Sequence, residues 1–399
     1  MRVGIVFGME FAKPTGISQY VLELSKHLSK DHDIHLIINE REFNYPGLTI
    51  HRTPLVKLPW LKLKSNIPYL RSVLHINNIT TRLIFNSFYN LYYSKKIKDK
   101  FKLDLVHSQS VDSLSADVVT MHSCLKAIRN SKGSHYEPNT FIRMAGKILF
   151  FPFTKIYLLT EKHILINSKK IITVSQRVKE EILENYRIPE NKIAVIPNGV
   201  DLYKFKYDSL KRANIRNRYG IDENEVVLIF VGHMFKTKGL DFVMDAISRI
   251  EKIKLFVVGE DFNINVYKKN AIKAGIQNRV IFVGNILKGI EDFYTASDIF
   301  LLPSASEGFP LTSLEAAASG LPLIVTKVGG LKEFVIDRFN GFFVARNSEE
   351  IEERIKVLVN DENLRKQIGK NARKTAEKYS WDEVAKKTLQ VYKDVIKDI

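Results

Sequence analysis

Short apolar runs alternate along most of this chain with segments whose apolar residues recur every three or four positions. Residues 3–7, for example, are apolar or glycine, and the next apolar residues follow at helical spacing, at Ile17, Val21, Leu24 and Leu28. Short apolar runs are typical of buried parallel strands, and the longer spacing is typical of amphipathic helices. In the second half the alternation is regular. The pattern predicts an α/β protein whose parallel sheets are covered by helices on both faces.

One stretch in the second half joins a strand, a loop, a helix and a second strand. Its helix has Pro310 near the first turn and Gly320 just past the end, which are the usual start and stop signals. Glu307 falls in the loop at the carboxyl end of the first strand, where open α/β sheets bind ligands. Glu315 falls in the helix about two turns later. We therefore take this stretch as the candidate centre of the site.

The same loop offers backbone groups to a ligand. Gly308 allows a ligand to approach the backbone closely. The amides of Phe309, Leu311 and Thr312 would be unpaired donors at a helix N-terminus, which suits an anion or sugar hydroxyls. A surface loop followed by an ordinary capped helix is the simpler alternative, because two glutamates eight positions apart often occur by chance. The flanking strands and the glycines elsewhere in this half favour a ligand site.

Glycines follow four of the predicted strands of the second half, at Gly232, Gly259, Gly284 and Gly329. One glycine turn is ordinary loop chemistry, but four at strand ends of one domain indicate a ligand that lies close to the backbone. Lys238 follows the first of these turns at the start of a predicted helix. There its charge and the helix N-terminus can meet a diphosphate.

The composition is that of a globular protein, with 45% hydrophobic and 26% charged residues. The single cysteine, Cys124, excludes an internal disulfide and fits a reducing compartment. The N-terminal apolar run is too short for a signal peptide, and no run reaches the roughly 18–20 apolar residues of a membrane span. The sequence therefore favours a cytoplasmic protein.

The net charge of +17 suits nucleic acid, an anionic membrane surface or acidic small molecules as partners, although a solvated basic surface without a partner is an alternative. No zinc pattern, helix-turn-helix spacing or RNA-binding aromatic motif occurs, which argues against nucleic acid. Residues 54–103 mix apolar residues with lysines, a combination that suits peripheral contact with a membrane. For residues 80–100 a core helix with a solvated lysine end is the better interpretation, whereas for residues 55–72 both interpretations stay open.

The stretch around Glu307 and Glu315 resembles the Glu-x7-Glu signature of the retaining glycosyltransferases of family GT4, which have the GT-B fold. The resemblance covers most of the chain and is strong for residues 190–345 and loose for residues 40–105. It implies two doubly wound, Rossmann-like domains that face a cleft, with the last helix crossing back to the first domain.

The resemblance also suggests where the domains divide. Charged, non-periodic residues 203–220 are typical of a linker. We expect an N-terminal, acceptor-side domain of residues 1–205 plus 380–399. A C-terminal domain of residues 206–379 would bind the nucleotide-sugar.

The resemblance implies a role for each candidate residue of the C-terminal domain. Glu307 would hold the donor sugar together with the residues that follow it, namely Gly308, Phe309, Pro310 and Leu311. Glu315 would bind the ribose hydroxyls, and the nucleobase would lie beside Gly284 and Asn285.

The diphosphate of the donor would be clamped by Lys238, with Lys236 as a second cation. The family commonly has an arginine where this chain has His233. Because histidine is only partly charged near neutral pH, the clamp could become pH-dependent.

In the N-terminal domain, Gly16 would face the donor phosphates, although two glycines are common at this place in the family. His122 would lie near the transferred sugar, and Ser123 follows where a hydroxyl often contacts the acceptor. His107 begins what is commonly a His-x-His motif, but Gln109 takes the second position here. A structural role is therefore the better interpretation of His107, and acceptor binding is the alternative.

The sequence thus predicts a retaining glycosyltransferase that moves a sugar from a nucleotide-sugar donor to a hydroxyl of a glycan, a glycolipid or another acceptor, in the synthesis of cell-surface glycans or glycolipids. It would need no cofactor. Asp31 and Asp33 form an Asp-x-Asp pattern, which holds a divalent metal in other glycosyltransferases, but their place in a polar turn predicts no metal here. The alternatives are a nucleotide-sugar 2-epimerase of the same fold and a non-enzymatic basic protein that binds membrane or nucleic acid.

Overall fold

The computed structural model describes residues 1–8, 15–40, 43–53, 90, 92–130 and 155–397. Residues 55–72, for which the sequence left membrane contact open, lie outside this part of the chain, as do residues 80–89 and 91. The chain forms two compact units, the first from Met1–Ile196 with Val384–Ile399 and the second from Pro197–Glu383.

The first unit contains a parallel sheet. Its strands are β1 (Arg2–Phe7), β2 (Asp33–Ile38), β3 (Thr49–Arg52), β4 (Leu105–Gln109), β5 (Val118–Met121), β6 (Lys170–Thr173) and β7 (Ile193–Val195). The described strands follow the order β3-β2-β1-β4-β5-β6-β7, and every neighbouring pair is parallel. The helices are Gly16–Leu28, 92–101, Leu125–Asn130, 155–167 and Gln176–Asn185, with a short 3-10 helix at Glu190–Lys192. The strand order reverses between β1 and β4, which creates a crevice at their carboxyl ends.

The second unit has the same plan. Its strands are β8 (Val226–Val231), β9 (Ile253–Val258), β10 (Val280–Gly284), β11 (Ile299–Leu302), β12 (Leu323–Thr326) and β13 (Gly341–Val344). They follow the order β10-β9-β8-β11-β12-β13, again all parallel. The helices are Ser209–Arg218, Phe235–Lys238, Leu240–Ser248, Ile264–Lys273, Ile290–Ala296, Leu311–Ala318, Leu331–Phe334, Ser348–Asn360 and Glu362–Ala376. The predicted architecture of two doubly wound α/β domains is confirmed.

The sequence predicted a linker at residues 203–220, but only part of this range is irregular. The helix Ser209–Arg218 packs on the second unit, and its Arg216 is fully buried. The Arg216 guanidinium donates to Asp298 Oδ2 at 2.7 Å, and the same oxygen accepts the Val227 amide at 2.7 Å. A charge-rich helix without apolar periodicity was missed because a buried ion pair, rather than an apolar face, attaches it.

The chain crosses between the units earlier than the sequence placed the boundary. The first crossing follows Ile196, and the chain returns after Glu383 within the final helix Trp381–Lys397. The connector belongs to the second unit because the Val200 amide donates to the Tyr379 carbonyl at 2.8 Å and Val200 forms a parallel bridge with Ser380.

Apolar side chains from both faces of each sheet form the cores. In the second unit, Phe230, Leu240 and Ile351 are among the buried residues of one large cluster. Among the described helices, none combines the length and the apolar composition that crossing a bilayer requires.

Candidate functional site

Lys238 and Glu307 meet at the carboxyl edge of the second sheet. Lys238 Nζ lies 2.5 Å from Glu307 Oε1, and the two side chains are 25% and 7% exposed. Lys238 ends the short helix after β8, and Glu307 lies in the loop after β11. Strands β8 and β11 are neighbours at the point where the strand order reverses, which is where open α/β sheets bind ligands. The two residues that the sequence assigned to the diphosphate and the sugar are therefore adjacent.

Two glycines give Lys238 its place. The stem of Lys238 packs against Gly232, where an added Cβ would lie 3.3 Å from Lys238 Cγ. Gly239 has φ +84°, a left-handed conformation, and separates the helix Phe235–Lys238 from the next helix. An added Cβ at Gly239 would overlap the Pro303 carbonyl. The close approach of these backbones brings the lysine to the glutamate loop.

Arg346, which sequence reasoning missed, braces the backbone on both sides of this pair. Its guanidinium donates to the carbonyls of Pro303 at 3.3 Å and Thr237 at 3.4 Å, and also to that of Lys236. The Lys236 side chain itself is exposed. No sequence pattern marked Arg346, because its partners are carbonyl groups from two distant segments.

The loop of Glu307 rests on the turn at Gly329 and Gly330. The Gly330 amide donates to the Gly308 carbonyl at 2.8 Å. An added Cβ would overlap the Glu307 carbonyl at Gly329, where φ is +49°, and the Phe309 ring at Gly330. These glycines therefore allow the loop to lie directly on the turn.

Backbone donors follow Glu307 as the sequence predicted. The helix Leu311–Ala318 begins after Pro310, which provides no side-chain cap. The first amides of a helix lack partners within that helix, and they suit an anion or hydroxyl groups. The Phe309 side chain is buried and packs near Phe334 and Tyr379, at centroid distances of 6.4 and 5.6 Å. Its role in the unit is to anchor the loop.

Glu315, the candidate for the ribose hydroxyls, is only 4% exposed. The Tyr294 hydroxyl donates to Glu315 Oε2 at 3.0 Å. Burial and the neighbouring Glu315 carboxylate raise the pKa of Tyr294 well above its usual value, so the phenol stays a donor. Tyr294 thus orients one oxygen of Glu315, a partnership that sequence reasoning did not find.

His233 is exposed in the turn after β8. Its Nδ1 lies 3.2 Å from the Glu260 amide nitrogen, from which it can accept, and 3.3 Å from the Glu260 carbonyl oxygen, to which it can donate. In the tautomer that accepts the amide, His233 presents an Nε2–H donor where an arginine was expected. Gly284 ends β10 with φ +84° and an open space around it, and Asn285 beside it is exposed. Both nucleobase candidates are therefore accessible at the same edge of the sheet.

In the first unit, His122 follows β5 at the carboxyl edge of the sheet. Its Nε2 lies 3.0 Å from Gln109 Oε1, which can only accept, so Nε2 carries the proton. Burial lowers the pKa of His122 to about 4. The ring is therefore neutral at physiological pH, and its Nδ1 is an acceptor. Gln109, which the sequence treated as a departure from the family pattern, is the partner that sets this tautomer.

His107 is fully buried, unlike an acceptor-binding residue. Its Nδ1 lies 2.6 Å from the Tyr392 hydroxyl and its Nε2 lies 2.8 Å from Thr120 Oγ1. Burial, and to a lesser extent the neighbouring His122, lowers its pKa to about 3. In this arrangement no part of the ring is exposed to an acceptor, and its contacts are those of a structural residue that fastens the C-terminal helix to the sheet.

The helix that follows β1 begins at Gly16, as predicted, and Thr15 caps it through a hydrogen bond from the Ser18 amide to Thr15 Oγ1 at 3.2 Å. Gly16 itself is exposed, and so is Ser123 after His122. At the end of β1 the Gly8 amide donates to Asp112 Oδ2 at 2.9 Å. Burial raises the pKa of Asp112 to about 7. Sequence reasoning did not find Asp112, because its contact with Gly8 joins segments that are far apart in the sequence and that the sheet brings together.

Among the described residues, no group of three or more His, Cys, Asp or Glu side chains is arranged to hold a metal ion. Asp33 begins β2, and its Oδ2 lies 3.6 Å from Arg2 Nε and 3.2 Å from His35 Nε2. Asp31 lies in the preceding turn. The Asp-x-Asp pattern thus sits at the amino end of its strand, opposite the edge that carries His122.

Two family profiles match adjoining parts of the chain. Residues 211–375 match the family described as Glycosyl transferases group 1, and residues 14–204 match the one described as Glycosyltransferase Family 4. The uncharacterized glycosyltransferase MJ1607 of Methanocaldococcus jannaschii is 32% identical over 234 residues, which span 57% of this chain and 60% of that protein. MJ1178 of the same organism, also an uncharacterized glycosyltransferase, is 28% identical over 394 residues, 95% of each chain.

Solved structures share the architecture. Sucrose-phosphate synthase from Thermosynechococcus elongatus superimposes with a TM-score of 0.79 at 19% identity over 100% of both chains. Anabaena Alr3699/HepE in complex with UDP-glucose superimposes with a TM-score of 0.71 at 16% identity, over 99% of this chain and 100% of that one. At these identities the similarity establishes the fold.

Proposed function

This chain belongs to the family 4 glycosyltransferases, which have the GT-B fold, and we propose that it transfers a sugar from a nucleotide-diphosphate donor to an acceptor hydroxyl with retention at the anomeric carbon. The contact between Lys238 and Glu307 at the switch point of the second sheet carries this proposal. It joins a cation suited to a diphosphate and a carboxylate suited to sugar hydroxyls within one crevice. The UDP-glucose complex of the structurally similar HepE supports a nucleotide-sugar as the donor.

The reaction needs charge stabilisation more than a protein nucleophile. The bond between the anomeric carbon and the diphosphate oxygen breaks, and the acceptor oxygen forms the new bond on the same face. The acceptor proton passes to the departing diphosphate. Lys238, the His233 Nε2–H group and the helix amides would stabilise the growing negative charge, because preorganised donors act without reorganisation during the reaction. Glu307 and the amides after it would orient the sugar.

The neutral imidazole of His122 supplies an acceptor rather than a charge. With Nε2–H donated to Gln109, Nδ1 would accept a hydroxyl of the sugar or of the incoming acceptor. Ser123, exposed beside it, would add a hydroxyl on the acceptor side.

We propose that the enzyme needs no divalent metal. The cations that would neutralise the diphosphate are side chains, namely Lys238 and Lys236. Transfer in the presence of excess EDTA should equal transfer without it. Loss of activity that Mg²⁺ or Mn²⁺ restores would contradict this and would make Asp31 and Asp33 candidates for ligands.

For the acceptor we propose a glycan or lipid-linked hydroxyl at an anionic membrane surface on the cytoplasmic side. In the helix of residues 155–167, Ile156, Leu159 and Ile166 recur at helical spacing and are 39%, 57% and 50% exposed. Exposed lysines lie beside them, at Lys155, Lys162 and Lys169. Apolar side chains flanked by cations match the chemistry of an anionic bilayer interface.

Sedimentation with vesicles tests the membrane surface. The wild type should bind vesicles of anionic phospholipid at low salt and not vesicles of neutral phospholipid. The double variant Leu159→Ser with Ile166→Ser should bind less, whereas Ile272→Ser, which removes a 63% exposed apolar side chain from the second unit, should bind normally. Equal binding by the double variant would exclude this surface.

A screen of UDP-, GDP- and ADP-sugars by thermal shift tests the donor, because a ligand of the folded state raises the unfolding temperature. The sugar that stabilises the protein should then be transferred to an acceptor with release of the nucleoside diphosphate. A change in the sugar that needs no acceptor would favour the 2-epimerase. Absence of any shift with all donors would favour the non-enzymatic binder.

A further inference from the structure

The loop that carries Glu307 has no regular secondary structure between β11 and the helix Leu311–Ala318. Its shape must therefore come from tertiary contacts. The glycine turn described above provides one contact. A further contact comes from Asn198, whose Nδ2 donates to the Phe309 carbonyl at 2.6 Å.

The Asn198 side chain is buried, and its Oδ1 has no hydrogen-bond partner among the described residues. A buried acceptor without a partner is costly, so this amide is a poor choice for stability alone. Only its N–H group makes a bond, and that bond ends on the peptide two residues after Glu307. The hydrogen bond to the Phe309 carbonyl is therefore the contact that explains an asparagine at this position.

Asn198 also lies beside the place where the chain passes between the units. The first crossing follows Ile196 and the second follows Glu383. The two connecting segments contact each other near Phe309. The Val200 amide donates to the Tyr379 carbonyl, and the Tyr379 ring lies 5.6 Å from the Phe309 ring. Gly199 permits this approach, since an added Cβ would lie 2.7 Å from Trp381 Cδ2.

We propose that Asn198 is a positioning residue for the sugar-binding loop: its N–H group fixes the Phe309 peptide and so ties the orientation of Glu307 to the chain segments that connect the two units. The inference rests on the proposed function, in which Glu307 and the following amides hold the donor sugar. Asn198 thus acts first on the orientation of the sugar, and it reaches the diphosphate only through the ion pair between Glu307 and Lys238.

The proposal predicts different effects of an Asn198 variant on two quantities, the kcat of sugar transfer and the affinity for the nucleoside diphosphate. In Asn198→Ala, kcat for sugar transfer should fall at least about tenfold, because small displacements of positioning groups slow the reaction strongly. The affinity for the nucleoside diphosphate without its sugar, measured by calorimetry, should not fall, because a displaced Glu307 competes less with the diphosphate for Lys238. Equal losses in both, or no loss in kcat, would overturn the inference.

The variant Asn198→Asp keeps the shape of the side chain but changes its ability to donate a hydrogen bond, so it tests the role of the donor by itself. An ionised carboxylate cannot donate to the Phe309 carbonyl, but a protonated one can. The kcat of this variant relative to the wild type should therefore rise as the pH falls. A ratio that does not change with pH would mean that the N–H donor is not what matters.

Two controls keep the test independent of folding. Asn371→Ala removes a similar bond, from Asn371 Nδ2 to the Phe339 carbonyl at 2.9 Å, and should keep kcat. If the Asn198 variants do not fold, Gly329→Ala displaces the same loop from its other contact and should show the same split. Gly275→Ala, with φ +69° and open space around it, imposes similar backbone strain elsewhere and should keep kcat.

The proposed function can fail separately from this inference. A wild type that binds no nucleoside diphosphate and transfers no sugar would remove the proposed function and the inference together. A fully active wild type with normal Asn198 and Gly329 variants would remove only the inference.

Discussion

Lys238 Nζ and Glu307 Oε1 lie 2.5 Å apart, so the two groups assigned to the donor's diphosphate and sugar neutralise each other in this structure. Both side chains are largely shielded from water, and screening by salt is therefore weak. A diphosphate that binds Lys238 must take this lysine from a carboxylate. The ion pair thus competes with the leaving group of the donor, and its removal should have opposite effects on nucleotide binding and on sugar transfer.

Replacement of Glu307 by glutamine tests this competition. In Glu307→Gln the lysine no longer faces a charge, so the nucleoside diphosphate should bind about three- to tenfold more tightly, which corresponds to the net contribution of about 1 kcal/mol from one hydrogen bond. Transfer should fall by about 100-fold or more because the sugar loses its carboxylate partner. Calorimetry and steady-state kinetics measure the two quantities.

Replacement of Lys238 should change the affinity for the nucleoside diphosphate in the opposite direction from replacement of Glu307. Lys238→Ala should weaken the binding of the nucleoside diphosphate and also reduce transfer by orders of magnitude. Glu251→Gln removes an exposed carboxylate of the same unit and should change neither quantity. Tighter binding in Lys238→Ala, or near-normal transfer in either site variant, would refute the assigned roles.

His233 should tolerate arginine and gain from it. Arginine brings a permanent charge with several donors, so His233→Arg should bind the nucleoside diphosphate more tightly. His233→Asn can still accept the Glu260 amide but loses the Nε2–H donor, and it should bind more weakly. Unchanged affinity in both variants would argue against a diphosphate contact at this position.

Burial of neutral His107 should make the first unit sensitive to acid. Its pKa falls from 6.5 in the unfolded chain to about 3 in the fold, mainly by burial. The unfolded state therefore binds more protons between these values, and stability decreases as the pH falls through this window. From pH 7 to pH 5 the loss should be about 2 kcal/mol from this residue.

Denaturant unfolding at the two pH values measures this loss. The variant His107→Asn should be less stable than the wild type at both pH values. Its loss of unfolding free energy from pH 7 to pH 5 should, however, be about 2 kcal/mol smaller than that of the wild type. His163→Asn, at an exposed position of the same unit, should keep the wild-type change. An unaltered pH dependence in His107→Asn would contradict the buried neutral state.

The ion pair of Arg216 and Asp298 should be essential for the second unit. Asp298→Ala leaves a fully buried guanidinium without its carboxylate, and the free energy of unfolding should fall by about 3–5 kcal/mol. Glu223→Ala removes an exposed carboxylate 3.9 Å from Arg212 and should cost less than about 1 kcal/mol. Urea unfolding followed by tryptophan fluorescence compares them, and similar losses would mean that the buried pair is not special.

The sequence by itself determined the parallel sheets, the strand ends and most of the second site. Periodicity is a local property, and the order of strands in a doubly wound sheet follows from a few connection rules, so Lys238, Glu307 and the glycine turns could be placed at one edge without coordinates. The helix Leu311–Ala318 and the helix at Gly16 follow from their local start signals.

Only the tertiary structure decided which partner each of these residues has. Sequence patterns did not reveal the partners of Arg346, Tyr294, Asn198 and Gln109, because their hydrogen bonds end on groups from other segments of the chain. The sequence favoured a structural role for His107, but only the fold shows that the C-terminal helix covers it through Tyr392 and leaves His122 at the sheet edge. A linear pattern records the spacing of residue types, whereas burial and hydrogen-bond partners depend on segments that meet only after folding.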